Sequence, residues 1–105
     1  MTDARLVLTT LPTAEAAASL ARTLVEERLA ACGNVVPGLR SIYRWEGKLH
    51  DEAEVLLLLK TRAGQLERLQ SRILELHPYQ VPEVVAVAAD AVTPAYLAWL
   101  LSETA

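Results

Sequence analysis

The chain has 105 residues, of which 52% are hydrophobic, with a formal net charge of −3 and a mean hydropathy of +0.23. That length suits one domain over residues 1–105, and the apolar share excludes intrinsic disorder. The longest apolar run, Ala95–Leu101, falls well short of the ~18 residues of a membrane span, and a pI near 5.3 without a basic run argues against nucleic acid as a partner.

Arg5–Leu11 is a short apolar and threonine-rich run that reads as a strand. Pro12-Thr13 punctuates it, with Thr13 as N-cap and Glu15 in the first turn of a helix. Ala17, Leu20, Ala21, Leu24, Val25 and Leu29 recur at helical spacing on one face of that helix. Cys32–Val36 resumes a strand pattern, which Pro37-Gly38 is expected to interrupt or bend. Ser41–Trp45 alternates like a strand with one wet face; Glu46-Gly47-Lys48 reads as a turn, and Glu54–Lys60 as the returning strand. Thr61 is placed to cap a second helix whose buried stripe is Leu66, Leu69, Ile73 and Leu76, ending near His77 ahead of Pro78. Val84–Ala89 is a last strand, and Thr93-Pro94 opens a short helix through Leu101.

The order β-α-β-β-α-β plus a C-terminal helix predicts an α+β fold, a ferredoxin-like split βαβ with an antiparallel sheet and two helices on one face. Strands covered on one side should alternate, yet Val55–Leu59 and Val84–Ala89 are apolar throughout. Both faces of these strands therefore ask for burial, which a second copy of the chain would supply. A local core rich in leucine and valine is the plainer alternative.

The chemistry-bearing residues are few. Two histidines and one cysteine show no zinc-type spacing, so a metal site would need carboxylates, water or another subunit. The lone Cys32 fits a small buried hydrophobe or a ligand, and forms no disulfide framework. With no positive, continuously apolar start at Met1–Arg5, the expected location is cytoplasmic. His77-Pro78-Tyr79-Gln80-Val81-Pro82-Glu83 is a rigid loop in which His77 is either a proton carrier or metal ligand, or pairs with backbone along with Tyr79. Tyr43, Arg44, Trp45, Glu46 and Lys48 gather aromatics and charges at a hairpin, suited to stacking a small ligand or anchoring an interface. Glu46, Asp51, Glu52 and Glu54 add an acidic group that attracts divalent cations weakly or simply solvates the hairpin. No phosphate loop, nucleophile elbow or HExxH motif is present, so the residues do not suggest an enzyme.

Together, Val7–Pro12, Leu24–Cys32, Asn34, Pro37-Gly38, Ser41–Lys48, Lys60-Thr61, His77–Glu83 and Tyr96–Leu100 resemble the CutA divalent-cation-tolerance family over nearly the whole chain. The resemblance implies a PII-like homotrimer, linked to copper and other divalent cations, without enzymatic activity. Its cofactor would be copper or another divalent cation, not required for folding. In the family's reference bacterial member, copper ligands are assigned to a first-strand cysteine and two adjacent histidines before the Pro-Tyr. Here Thr9 and Leu76 occupy two of those positions, leaving His77 as the one metal candidate. By analogy with trimeric relatives, an intersubunit cleft near His77, Tyr79, Glu83, Trp45 and Lys48 would hold a ligand of unknown identity. The alternatives are a PII-like small-ligand or protein-interaction module, and a cryptic acylphosphatase-like enzyme. Gly33 departs from the bulky residue common after the family's cysteine, and is expected to loosen the second strand or mark a bulge.

Overall fold

The computed structural model describes residues 1–105. Its elements are β1 (Ala4–Leu11), α1 (Ala14–Glu26), β2 (Cys32–Trp45), β3 (Lys48–Arg62), α2 (Leu66–Leu76), β4 (Val85–Ala88) and α3 (Pro94–Glu103). One antiparallel sheet has the order β2-β3-β1-β4, the ferredoxin-like arrangement expected from the element order. No helix is long and apolar enough to cross a membrane.

Local signals explain most boundaries. The Thr13 hydroxyl accepts from the Ala16 N–H at 3.1 Å, capping α1 as expected. That helix ends at Glu26, earlier than the apolar spacing predicts, because Arg28 adopts φ +62° and turns the chain out. The Arg28 guanidinium pairs with Glu103 of α3 at 3.3 Å across this exit. Thr61 does not cap α2. It lies buried in β3, its hydroxyl donating to the Leu29 carbonyl at 2.7 Å, and a 3-10 turn at Ala63–Gln65 leads into the helix instead. Leu76, expected in the buried stripe, is exposed, whereas Leu69 and Ile73 are fully buried.

The core lies between the helices and one sheet face, where Val7, Leu11, Leu57 and Leu59 meet Leu20, Leu24, Leu69 and Ile73. A bidentate Arg72–Glu27 pair, both bonds at 2.9 Å, ties α2 to the end of α1. Gly33 neither loosens β2 nor bulges it. A Cβ there would come within 2.8 Å of the Ala21 Cβ, so glycine is what lets α1 seat on the sheet.

The bulge lies further along β2, at Pro37-Gly38. Val36 pairs with Leu56 and Leu39 with Glu54, so Pro37 and Gly38 together oppose Val55, with Gly38 at φ +89°. Strand β2 thus runs on through Pro37-Gly38, and β3 begins at Lys48, not Glu54. Beyond Val55 no third strand accompanies them, since β1 pairs with β3 only from Ala4–Arg62 to Leu11–Val55. A two-stranded ribbon therefore projects from the body, closed by Glu46 (φ +50°) and Gly47 (φ +77°), a two-residue turn of the I′ kind.

The expected double-sided burial of the apolar strands is not achieved within one chain. Residues directly paired across strands share a face. Leu6, Leu8, Leu56 and Leu58 accordingly lie with Val36, Val85 and Val87 on the side away from α1 and α2. The four leucines there are half-buried, while Val36, Val85 and Val87 remain 40%, 48% and 45% exposed.

Candidate functional site

The bulge determines which ribbon residues meet. Before it, even-numbered residues of β2 point to the open sheet face; after it, the odd-numbered ones do. Ser41, Tyr43 and Trp45 are thereby brought to the same side as Glu52 and Glu54, continuing the open face outward along the ribbon. Opposite them stands the loop after α2, which supplies Pro78, Tyr79, Gln80, Val81 and Glu83. The groove between has a volume of about 680 Å³. Glu52, Glu54 and Glu83 line it, and no Lys, Arg or His does.

Two tyrosine–glutamate pairs organise the walls. The Tyr79 hydroxyl donates to Glu54 at 2.7 Å, and the Tyr43 hydroxyl donates to Glu52. Burial, followed by the Glu54 hydrogen bond, pushes the Tyr79 phenol far above its ordinary range. The Glu52 bond, followed by burial, raises that of Tyr43. Both phenols stay protonated near neutrality and act as donors to the two carboxylates that line the groove. The His50 imidazole stacks on the Tyr43 ring at 5.1 Å and 11°, with Nδ1 3.6 Å from Glu52.

His77 lies under this groove without lining it. Its Nδ1 accepts from the Tyr79 N–H at 3.1 Å, so the proton sits on Nε2, which donates to the Thr10 carbonyl at 2.8 Å. Burial lowers the pKa of the ring, opposed by the Thr10 bond and the Glu54 charge. Of the two readings of this loop, backbone pairing is the one His77 adopts. Binding a metal would require it to release the Tyr79 N–H or the Thr10 carbonyl.

The other candidates are placed as follows. Tyr43, Trp45, Tyr79 and Glu83 line the groove together. Glu46 and Lys48 lie at the ribbon tip outside it, and Cys32 pairs with Lys60 at the far end of the sheet, its Sγ 3.7 Å from the Asn34 side chain. Cys32 is partly exposed and not the small buried hydrophobe considered above. Glu54 and Glu52 were legible only as general acidity, because the bulge that aligns them with Tyr43 and Trp45 changes the face of β2 without leaving a periodicity signal. The copper-ligand positions of the reference member do not fit copper here. Thr9 is fully buried on the helix side, Leu76 is exposed aliphatic surface, and both nitrogens of His77 are engaged. No three His, Cys, Asp or Glu side chains converge as a metal site.

A family model described as CutA1 divalent ion tolerance protein matches residues 5–103. The chain belongs to that family. Among CutA relatives, the divalent-cation tolerance protein of Thermus thermophilus is 50% identical over 98 residues, covering 93% of this chain and 95% of that protein. Curated plant and mammalian CutA proteins are longer, and the chain spans about half their length. The crystal structure of CutA from Xylella fastidiosa superposes with a TM-score of 0.96 at 40% identity, covering 99% of this chain and 100% of that one. A structure from Nostoc sp. PCC 7120, described as a PII-like CutA protein in apo form, gives 0.89 at 43% identity and covers 96% and 97% of the two chains. The α+β, PII-like CutA fold read from the sequence is therefore shown, and the family's name describes tolerance of divalent cations and no catalysis.

Proposed function

We propose that this CutA chain is a non-enzymatic, PII-like homotrimer that serves divalent-cation tolerance by binding cations weakly in its groove. The observation that carries the reading is the groove's lining of Glu52, Glu54 and Glu83 with no basic side chain. Uncompensated carboxylates in a concavity attract cations, and oxygen donors suit hard divalent ions better than copper(I). Because no preformed ligand cluster exists, affinity falls in the weak range of about 10⁻⁴–10⁻³ M. The trimer is supported by the open apolar sheet face and the projecting ribbon, along which the groove runs. The cytoplasmic location expected from the sequence belongs to the same proposal.

Titrating Mn²⁺ into the full chain, followed by water-proton relaxation, tests this reading. Weak binding is expected in the parent chain and in His77→Ala, and its loss in Glu52→Gln/Glu54→Gln. Binding that survives the double carboxylate change, or vanishes with His77→Ala, would place the cation elsewhere.

A further inference from the structure

The same groove has a second property that carboxylates alone do not explain: its walls are aromatic. Tyr43 and Trp45 stand two residues apart on one face of the ribbon, each 41% exposed, and Tyr79 faces them from the loop. The His50 imidazole stacks on one face of the Tyr43 ring and holds it in plane. A tightly held metal ion needs several oxygens converging at about 2.0–2.6 Å, and the groove offers no such preformed cluster. Its volume, about 680 Å³, is instead that of a site for an organic molecule. Rings and uncompensated carboxylates together suit a cation whose charge is spread over carbon and nitrogen. The ring faces present negative quadrupole to it, and the carboxylates supply net charge from a distance.

We infer that the groove takes a small organic ammonium ion, held against Trp45 and Tyr43 and balanced in charge by Glu52 and Glu54. This rests on the groove being the chain's cation site, and names an occupant that the metal reading does not contain. The tyrosine hydrogen bonds have a function in it. By holding Glu52 and Glu54 to Tyr43 and Tyr79, they fix the carboxylates beside the rings while leaving further lone pairs for N–H donors or for the field of a quaternary nitrogen.

The test is calorimetric titration of the full chain with choline and with 3,3-dimethylbutan-1-ol, the same shape with carbon in place of the charged nitrogen. Choline is expected to bind, with the neutral analogue about tenfold weaker or more. Choline affinity should fall with added salt, since one partner is an exposed carboxylate set. Trp45→Leu and Glu54→Gln should each weaken choline several-fold, whereas Trp45→Phe, which keeps a ring, should retain most of the affinity. Both positions lie on the ribbon outside the body's core, and glutamine at 54 still accepts from Tyr79, so folding is preserved in these variants. Equal binding of the two probes, or choline binding indifferent to Trp45→Leu, would overturn the proposal. Mn²⁺ binding without choline binding would overturn it too while leaving the metal reading intact. Choline binding without Mn²⁺ binding would do the reverse.

Discussion

Thr9 is a polar residue in an apolar place. It is fully buried among the helix-facing residues of β1, and its hydroxyl has no hydrogen-bond partner. An unsatisfied buried hydroxyl costs about 1–3 kcal/mol, and valine keeps nearly the same shape without that cost. Thr9→Val is expected to raise the unfolding free energy by roughly 1 kcal/mol in urea titrations, against the usual trend of core substitutions. His77 carries the opposite lesson, a titratable group held in place by its neutral form. Its folded pKa is depressed below 6.5, so the unfolded chain binds the proton more readily. Its contribution is therefore complete above about pH 6.5 and is lost as pH falls through the lower folded value. A protonated ring cannot accept from the Tyr79 N–H, so acid should loosen the loop at Pro78–Glu83 first. Denaturation midpoints measured from neutral to mildly acidic pH should decline more steeply in the parent chain than in His77→Gln. Parallel declines would remove His77 from the acid response.

At the level of elements, the seat of α1 on the sheet depends on a missing side chain. With Ala21 Cβ only 2.8 Å from where a Gly33 Cβ would stand, Gly33→Ala must push the helix away or distort β2. A loss of roughly 1–3 kcal/mol is expected. Combining it with Ala21→Gly should cost less than the sum of the two single changes, because the clash disappears. Additive losses would show that the contact is not the cause. Elements with strong periodicity are legible in the sequence: α1 starts at its Thr13 cap, though it stops at Glu26, and the Leu69–Ile73 stripe of α2 and the helix opened by Pro94 stand where apolar spacing and proline put them. What was not legible depends on tertiary pairing. Thr61 has the residue type of a cap, but its hydroxyl meets the Leu29 carbonyl, a partner 32 residues away. Lys48–Ala53 lacks a strand's apolar alternation, yet pairs with β2 through the hairpin. The groove was half visible, since Tyr43, Trp45, Tyr79 and Glu83 stood out by type, while Glu52 and Glu54 join them only through the bulge.

Taken whole, one copy of the chain is too open for its size. Its accessible surface is 6335 Å², against ~5,800 Å² for a compact monomer of this mass. Its radius of gyration is 14.2 Å, against ~13 Å for its length. The excess resides in the ribbon, where Ile42 and Leu49 are 63% and 70% exposed, and in the uncovered strands beside it. A hairpin of this kind is marginal alone and gains stability by lying on something. Sedimentation is expected to give about three times the 11.5 kDa chain mass, and Val87→Asp, which sets a charge in the open face, should shift the population to single chains. A parent protein that sediments as one chain at micromolar concentration would sink the assembly reading.

The Pro37-Gly38 bulge has a consequence for how relatives are compared. It acts as a phase shift: the motif Tyr43-Arg44-Trp45 points toward Glu52 and Glu54 only because one extra residue precedes it. A relative that keeps this motif letter for letter, but lacks the extra residue, would turn Arg44 to the glutamate side and the two rings to the opposite face. Within this architecture, a shared word in an alignment identifies a shared site only when the gap count upstream has the same parity.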